Sequence, residues 1–343
     1  MPETLHVPAL IVGAGPIGLA CAISARRRDV AHLVIDAGAI ANSIVRYPIG
    51  MTFFTTPERL EIGGHPLTCS GAKATREEAL KYYRGVVRAE ALQVRTYTRL
   101  LSARHTGAAI ECRVMGPLGA ETIRCDRLIV ATGYFEHANH LGIPGEELPH
   151  VHHWFDEAHL SAGLDVAIIG GKNSAVEAAL QCYRAGARVT LIHRGDALKP
   201  SVKFWLRPDL DNRIKAGEIA ARFGATVTAI SPTAVTIRLA DGTSNQVRAT
   251  RVYALTGYHP DFELLAAIGV TCDPVSGRPT LDPATLETNV PGVHLAGSVG
   301  AGRNISEVFI ENGRFDGERI FGDLASRNRA ERLYGESPRP VGE

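Results

Sequence analysis

The chain of 343 residues lacks the features that would place a protein on a nucleic acid or in a membrane. Its charges balance, with Lys+Arg 37 against Asp+Glu 36 and a net charge of +1, so no basic surface for nucleic acids or acidic lipids is predicted. No apolar run approaches the roughly 18 residues of a membrane span. The first residues, MPETLHVPAL, have no basic stretch of the kind that opens a signal peptide. We expect a soluble, cytoplasmic protein without nucleic-acid or membrane partners.

Cysteine is scarce, and its spacing excludes two further classes of protein. No two of the six cysteines form a C-x-x-C pair. The positions are Cys21, Cys69, Cys112, Cys125, Cys182 and Cys272. This spacing supports neither a zinc site nor a disulfide framework. The sequence therefore predicts free thiols in a reducing compartment and no metal site.

Glycine, by contrast, is abundant at 35 residues, and the first glycine turn organises the chain. Residues 10–36 read as an apolar strand, a turn, an Ala-rich helix and a second apolar strand. In the turn, Gly13 permits the tight bend, Gly15 lets the backbone approach a pyrophosphate, and Gly18 lets helix and strand pack closely. Asp36 ends the second strand, where a carboxylate accepts hydrogen bonds from a ribose 2′-OH. The pattern predicts a dinucleotide site for FAD or NAD.

The next segments predict a loop, a helix and a small sheet. Residues 47–67 hold too many prolines and glycines for regular structure, and ordered loops of that length are often functional. Thr75 and Glu78 have the spacing of a capping box at a helix start. Residues 92–130 alternate apolar and polar positions as in a β-meander and lead into Ala131-Thr132-Gly133, a second place for a nucleotide.

The strand–turn–helix–strand pattern then repeats over residues 165–195, with a turn at residues 170–175. Gly13 and Asp36 are 23 positions apart (36 − 13), and the same interval from Gly170 leads to His193, which Arg194 follows. The acid of the first pattern is thus replaced by neutral or basic residues. Arg194 can pair with a 2′-phosphate in a bidentate way, which predicts NADP(H) in the second pattern; the alternative is a solvated surface charge.

A basic and aromatic segment follows this second pattern. Lys199, Lys203 and Arg207 either extend the 2′-phosphate site, meet a charged substrate or form a solvated surface. Residues 225–255 alternate like strands and end at Thr256-Gly257-Tyr258, which repeats the T-G-Y of the first half. Such duplication indicates two related domains.

The last section has a strand at residues 293–296, a glycine turn at residues 297–302 and a helix expected from about Asn304 or Ser306. The N–H groups at the start of that helix can stabilise negative charge on a reduced flavin. The polar residues 327–343 are expected to be loose or peripheral.

Taken together, the two unequal nucleotide patterns, the T-G-Y closures and the C-terminal A-G-S turn resemble the two-dinucleotide-binding flavoproteins. In general form the chain resembles thioredoxin reductase without its C-x-x-C pair. Five stretches resemble the bacillithiol disulfide reductase family: YPIGMTFFTTPERLEIG, IIGGKNSAVEAAL, KPSVKFWLRPDLDNRI, TGYHPDFE and FIENGRF. They lie between about residues 10 and 322.

The resemblance implies an α/β protein with two Rossmann-like three-layer domains, the NADPH domain inserted into the FAD domain. We expect the FAD domain at residues 1–157 and 259–343 and the NADPH domain at residues 158–258. It also implies an enzyme that uses NADPH and FAD to reduce the disulfide of a low-molecular-weight thiol, and a homo-oligomer, dimer or tetramer.

The expected FAD site comprises Gly13, Gly15, Pro16, Ile17, Gly18, Asp36, Ala37, Thr52, Phe53, Thr132, Gly133, Gly297, Ser298 and Ile305. The expected NADPH site comprises Gly170, Gly171, Lys172, Asn173, Ser174, Ala175, His193, Arg194, Lys199, Thr256 and Gly257.

Two positions depart from the family pattern. Family members often have a cysteine in the first turn, as G-x-G-P-C-G, where this chain has Ile17, and Ser298 stands where the wider superfamily usually has Asp. Cys21, four residues after Ile17 on the same helix face, is a candidate substitute for the redox thiol; the alternative is a packing cysteine.

Three alternative functions remain at this point. The run HVHHWFDEAH suggests an FAD/NADPH monooxygenase, although its spacing does not fit that group's usual pattern. A ferredoxin–NADP reductase of thioredoxin-reductase type also lacks C-x-x-C. A nucleotide-binding sensor without turnover is the alternative outside the enzymes.

Overall fold

The chain folds into two compact units. The computed structural model describes residues 5–305 and 307–336. The described part of the first unit comprises residues 5–45, 50–137, 258–305 and 307–336. The second unit comprises residues 46–49 and 138–257 and is thus inserted into the first along the chain.

Strands and helices alternate along much of the chain. Up to residue 138 they are β1 (Leu5–Val12), α1 (Pro16–Arg26), β2 (His32–Ile35), α2 (Asn42–Val45), α3 (Pro57–Leu60), α4 (Arg76–Ala89), β3 (Val94–Arg95), β4 (Arg99–His105), β5 (Ile110–Gly116), β6 (Gly119–Val130) and β7 (His137–Ala138). The second unit adds β8 (Val151–His152), β9 (Asp165–Ile169), α5 (Asn173–Arg184), β10 (Arg188–Ile192), α6 (Arg207–Lys215), β11 (Ala220–Arg222), β12 (Thr226–Ser231), β13 (Ala234–Arg238), β14 (Ser244–Arg248) and β15 (Arg251–Ala254). The rest are β16 (Tyr258–His259), α7 (Phe262–Ile268), β17 (Val293–Leu295), α8 (Ile310–Gly313), α9 (Asp316–Phe321) and α10 (Leu324–Glu336).

The sheet of the first unit has the strand order β3-β2-β1-β6-β5-β4, with β17 paired to β6. Strands β3, β2, β1, β6 and β17 are parallel, and β6, β5 and β4 continue as antiparallel neighbours. The predicted meander is therefore confirmed, and it extends the parallel sheet. Leu10 and Leu128 are paired on neighbouring strands and are fully buried. Continuous apolar runs of this kind are typical of parallel strands that are covered on both faces of the sheet.

Two helices of the first unit follow directly from their sequences. Every residue from Gly18 to Ala25 in α1 is buried, as its small Ala-rich side chains allow. Helix α4 begins with the predicted capping box: the Glu78 N–H donates to Thr75 Oγ1 at 3.2 Å, and the Thr75 N–H donates to Glu78 Oε2 at 2.8 Å.

The second unit repeats the nucleotide-binding arrangement on a smaller scale. Its parallel sheet has the order β11-β10-β9-β15-β8, and β12, β13 and β14 form a separate antiparallel sheet. All of β9 is buried. The prediction of two Rossmann-like domains, one inserted into the other, is confirmed.

The structural division differs from the predicted one at its first boundary. Residues 138–157, placed by the sequence with the first domain, cluster with the second unit. The reason is β8, which pairs with β15 through Val151 and Val252 and completes the sheet of the second unit. The second boundary, at residues 257 and 258, lies within one residue of the predicted one.

The C-terminal segment differs from the sequence expectation in two ways. A 3-10 helix covers Gly297–Ala301, and the next α-helix begins at Ile310, not near Asn304; Ser306 lies outside the described residues. The later start is fixed by Asn312, whose Oδ1 accepts from the Phe309 N–H at 2.8 Å. Residues 327–336, expected to be loose, belong to α10, and residues 337–343 lie outside the described part.

Within residues 5–305 and 307–336, no helix has both the length and the apolar character that crossing a membrane requires.

Candidate functional site

Three glycine-containing turns meet at one edge of the first unit's sheet. They follow β1, β6 and β17, which are adjacent and parallel, so their carboxyl ends lie together. A Cβ added to Gly133 would lie 3.8 Å from Ser298 Oγ, and one added to Gly297 would lie 2.6 Å from Ile17 Cδ1. In open α/β sheets, this edge is where ligands bind.

The first of these turns has the shape of a nucleotide-binding loop. Gly13 has a φ of +115°, and a Cβ there would lie 2.4 Å from the Ala131 carbonyl oxygen. A Cβ at Gly18 would come within 1.9 Å of the Gly13 oxygen, so α1 packs against its own turn. At Gly15, in contrast, no atom lies within 4 Å of an added Cβ. The turn is therefore closed towards the protein and open at the start of α1, where a phosphate would meet free N–H groups.

Asp36 lies at the end of β2 and is tied to this turn. One carboxylate oxygen accepts from the Ala14 N–H at 2.7 Å, and the other accepts from the Gly38 N–H at 2.7 Å. Burial raises the pKa of Asp36, and the two hydrogen bonds oppose that rise. Each oxygen keeps a further acceptor position, so Asp36 can hold the loop and accept a ribose hydroxyl.

The turn after β6 carries a buried group that needs a partner. Thr132 Oγ1 is buried and makes no hydrogen bond within the described part of the chain. Buried hydroxyls nearly always have a partner. The orphaned hydroxyl at the ligand edge and the open position at Gly15 both fit a bound dinucleotide, so the residues present are compatible with FAD.

Other expected FAD residues lie on the segments around this edge. Pro16 is the first residue of α1, Ala37 is half-buried beside Asp36, and Ile305 is half-buried before α8. Thr52 forms an isolated bridge with Thr75, and the N–H of Phe53, a buried residue, donates to the carbonyl of Ala74. The loop is thereby held against the start of α4.

Asp316 is a buried carboxylate behind the C-terminal turn that the sequence did not predict as a site residue. Its Oδ2 accepts from the Gly297 N–H at 2.7 Å, and burial raises its pKa to about 6. Ser298, at the position where an Asp was expected, is only half-buried. No local pattern marks Asp316, because its partner lies 19 residues earlier in the chain.

A hydrogen bond that the sequence did not predict connects Asn42, at the start of α2, to Glu136 in the segment after β6. The Asn42 side-chain amide donates to Glu136, and Asn42 Oδ1 accepts from the Ala39 N–H. Glu136 contributes to the raised pKa of Asp36, so the two carboxylates are close enough to interact.

Cys21 has the properties of a packing residue. Its side chain is fully buried in α1, and its Cα lies 2.8 Å from the Cβ position of Gly317 in α9. Burial raises the pKa of the Cys21 thiol well above its ordinary value, with Asp316 and Glu318 adding to the effect. A reactive cysteine needs an accessible thiolate. The geometry thus favours packing over the redox role.

The second unit contains the corresponding turn between β9 and α5. Gly170 has a φ of +152°, and a Cβ there would lie 2.6 Å from the Leu255 oxygen. Ala175 replaces the third glycine and packs against Gly170, with its Cβ 2.9 Å from that position. The His193 ring packs directly over Gly171, so it lies at the turn itself.

A group of basic residues surrounds this second turn. Lys172 is the N-cap residue of α5, and Ser174 in its first turn is exposed, as are Arg194 and Lys199. Burial lowers the pKa of Lys172, and Lys199 lowers it further. Burial also lowers the pKa of His193, with Arg194 and Lys199 adding to that effect. The four basic groups therefore interact electrostatically, as a binding site for an anionic nucleotide requires.

The remaining expected NADPH residues and basic positions have partners inside the second unit. Asn173 Oδ1 accepts from the Lys203 N–H at 2.8 Å, and Thr256 Oγ1 donates to the Asn139 carbonyl. Gly257 adjoins Asn139.

The basic residues after the second pattern differ in their surroundings. Lys203 lies 4.0 Å from Glu177, and Arg207 lies 3.6 Å from Asp211. Of the three basic residues considered for the phosphate, the structure thus brings Lys199 to the turn and pairs the other two with carboxylates.

Comparison with known proteins identifies the class. The chain matches the sequence profile of the family described as "Pyridine nucleotide-disulphide oxidoreductase" over residues 10–297. It is 41% identical to bacilliredoxin reductase Bdr of Bacillus subtilis (strain 168) over 93% of this chain and 98% of that one. The structure resembles bacillithiol disulfide reductase Bdr (YpdA) from Bacillus cereus, with a TM-score of 0.90, 39% identity and coverage of 95% and 99%. The Staphylococcus aureus counterpart gives a TM-score of 0.88, 34% identity and coverage of 98% and 100%.

These matches make the protein an FAD-dependent oxidoreductase that consumes NADPH, as the sequence predicted. The chain belongs to the pyridine nucleotide-disulphide oxidoreductase family, and its resemblance to the bacillithiol disulfide reductases is confirmed.

Proposed function

We propose that this enzyme uses NADPH to reduce the disulfide of a low-molecular-weight thiol of the bacillithiol type. One disulfide, one NADPH and one proton give two thiols and NADP⁺. The observation that carries the proposal is the 41% identity to a bacilliredoxin reductase over nearly the whole of both chains. Two structures named bacillithiol disulfide reductase support it with TM-scores of 0.90 and 0.88.

Each nucleotide has its own set of residues in this proposal. Gly13, Gly15 and Asp36 hold the phosphates and a ribose of FAD, whereas Arg194 and Lys199 hold the 2′-phosphate of NADPH. When bound, FAD supplies the two-electron chemistry that connects a nicotinamide to a disulfide. We assign no thiol step to Cys21, because its side chain is fully buried.

The roles of the side chains around FAD are positional. Asp36 fixes the Ala14 and Gly38 N–H groups, and Asp316 fixes the Gly297 N–H. Thr132 offers a hydroxyl to the ligand. Ile17 packs against Gly297 and Gly313, since a Cβ added to either glycine would lie 2.6 Å from Ile17 Cδ1. Its side chain thus occupies the position where relatives often have a cysteine.

The test is anaerobic reduction of the FAD-loaded protein by NADPH, followed by reoxidation with separate acceptors. We expect fastest reoxidation by bacillithiol disulfide, with two thiols formed per NADPH. Preferential reoxidation by ferredoxin would instead identify a ferredoxin–NADP reductase, and oxygen uptake matched to substrate hydroxylation would identify a monooxygenase. Failure of every acceptor to oxidise NADPH would leave a nucleotide sensor.

Two properties that the resemblance implies are also part of the proposal. We infer a homo-oligomer, dimer or tetramer, and a cytoplasmic location. Light scattering of the purified protein tests the first, since a single-chain mass near 36.8 kDa would contradict it. Fractionation of cells that produce the protein tests the second.

A further inference from the structure

A cluster of potential metal ligands lies in the second unit, away from the nucleotide turn in sequence. Among residues 5–305 and 307–336, one group of three or more His, Cys, Asp or Glu side chains brings its ligand atoms within 4.8 Å of one another. It consists of His140, Glu146 and His153. We propose that these three side chains bind a divalent transition-metal ion of the zinc class.

The distances suit a single ion. His140 Nδ1 lies 3.6 Å and His153 Nε2 lies 3.8 Å from Glu146 Oε1. Two ligand atoms on one tetrahedral zinc ion, each about 2.1 Å from it, are roughly 3.3 Å apart. The two separations from Glu146 exceed this value by only a few tenths of an ångström, and all three ligand atoms lie within 4.8 Å of one another. The two imidazole rings pack edge to face, with centroids 4.6 Å apart.

The carboxylate is held in place before any ion binds. Glu146 has only 4% of its side chain exposed, and its two oxygens accept from the Leu141 and Gly142 N–H groups at 2.7 Å each. The preceding Pro144 carbonyl accepts from the Ile230 N–H at 2.8 Å, which fixes the loop to β12. Such outer contacts orient a metal-binding carboxylate and leave it a free lone pair for the ion.

The charge states of the three groups also suit a metal ion. Burial lowers the pKa of His153, with His140 adding to the effect, so the neutral imidazole that binds metals is favoured. Burial by itself would raise the pKa of Glu146, but the two backbone N–H groups and the two histidines hold it below its usual value. The site thus presents two imidazole nitrogens and a carboxylate oxygen that is favoured in its anionic form.

This donor set selects the class of ion. Imidazole nitrogens favour zinc and its transition-metal neighbours over magnesium or calcium, which prefer oxygen ligands. Three protein ligands leave a fourth position for water or another ligand. His140 has 56% of its side chain exposed and His153 only 11%, so an ion reaches the site from the side of His140.

The sequence did not reveal this site because its members have no standard spacing. His153 belongs to the histidine-rich run that suggested a monooxygenase, whereas His140 and Glu146 precede that run by several residues. His153 directly follows β8, and the fold brings it to His140 and Glu146.

The experiment is titration of the chelator-treated, FAD-loaded full chain with Co²⁺ and with Zn²⁺. Co²⁺ is followed by its visible absorption, and Zn²⁺ by competition with a chromogenic chelator. We expect one ion per chain, intense Co²⁺ bands typical of four or five ligands, and at least roughly tenfold weaker binding in His140→Ala. His140 is chosen because its exposed side chain can be removed with the fold kept.

The matched control is His159→Ala, which removes an exposed histidine of the same unit. This variant should bind both ions as the parent does. Equal binding by the parent and His140→Ala, or no binding by the parent at micromolar Zn²⁺, would overturn the proposal. Glu146→Gln provides a second variant, with thermal unfolding measured to show that it has folded.

Discussion

The two glycine turns of this molecule begin alike and differ at the end of their second strand. In both, the first glycine has a positive φ and packs against the carbonyl of a neighbouring strand end, that of Ala131 in one unit and of Leu255 in the other. After β2, the first unit places the Asp36 carboxylate, which binds its own loop. After β10, the second unit places His193 and Arg194, with Lys199 near the His193 ring.

This difference shows that the glycine turn and the side chain after the second strand determine different properties of each nucleotide site. The glycines shape a cavity that suits any pyrophosphate, whereas the side chain beyond the second strand selects the ribose. A carboxylate accepts a hydrogen bond from a free 2′-OH and repels a 2′-phosphate, whereas a guanidinium donates hydrogen bonds to a 2′-phosphate and attracts its charge. Changes to the glycines should therefore remove a whole site, and changes to the charges should alter only its preference.

The largest effects are expected from the glycines. In Gly18→Ala the new Cβ would lie 1.9 Å from the Gly13 oxygen, and α1 would have to move as a whole. We expect loss of FAD and a decrease of more than about 3 kcal/mol in the free energy of unfolding. In Gly170→Ala the clash lies within the second unit, between the new Cβ and the Leu255 oxygen. We therefore expect a yellow protein that responds poorly to NADPH.

Flavin absorbance, thermal unfolding and NADPH titration distinguish these two variants. The matched control is Gly85→Ala, at an exposed position of α4 where an added Cβ meets no atom within 4 Å. It should retain both nucleotides and gain up to about 1 kcal/mol of stability. A yellow Gly18→Ala variant with parental stability would contradict the assignment of the first turn to FAD.

A smaller effect is expected at Arg194. Removing a charged hydrogen-bond partner of a phosphate costs about 1.5–3 kcal/mol, so Arg194→Ala should raise the KM for NADPH roughly 10- to 100-fold. The KM for NADH should change little, because NADH has no 2′-phosphate. Steady-state kinetics with both nucleotides measure the ratio.

The control for Arg194 is Arg207→Ala, because Arg207 is the alternative basic residue and pairs with Asp211. It should leave the preference for NADPH unchanged. An equal loss with NADPH and NADH in Arg194→Ala would show that Arg194 does not distinguish the two nucleotides.

The features that the sequence predicted are those encoded by neighbours in the chain. The glycine turn around Gly13 and the capping box of Thr75 depend on residues within one or two helical turns, and both have the predicted form. The hydrogen bond of Asp316 and the ring of His193 over Gly171 join residues on different elements, and the Glu146 cluster depends on the conformation of the irregular segment around β8. Local spacing contains no information about such contacts.

A pH-dependent effect is expected at Asp316, whose pKa is raised to about 6 from an ordinary value of 3.8. Above that pH the folded state holds a buried negative charge, and this cost disappears as the pH falls towards 3.8 and the carboxyl takes up a proton. A shift of about two units corresponds to roughly 3 kcal/mol. Asp316→Asn keeps an oxygen for the Gly297 N–H and carries no charge. Its free energy of unfolding relative to the parent should therefore be most favourable at pH 8 and decline by up to about 3 kcal/mol on going to pH 4.

Denaturant unfolding at several pH values measures this difference between Asp316→Asn and the parent. Asp323→Asn is the control of opposite sign, since hydrogen bonds from Ser326 lower the pKa of Asp323, so that variant should lose stability relative to the parent as the pH rises. A difference for Asp316→Asn that stays constant with pH would mean that the carboxyl is already charged throughout this range, and that the turn at Gly297 is held by a permanent buried anion.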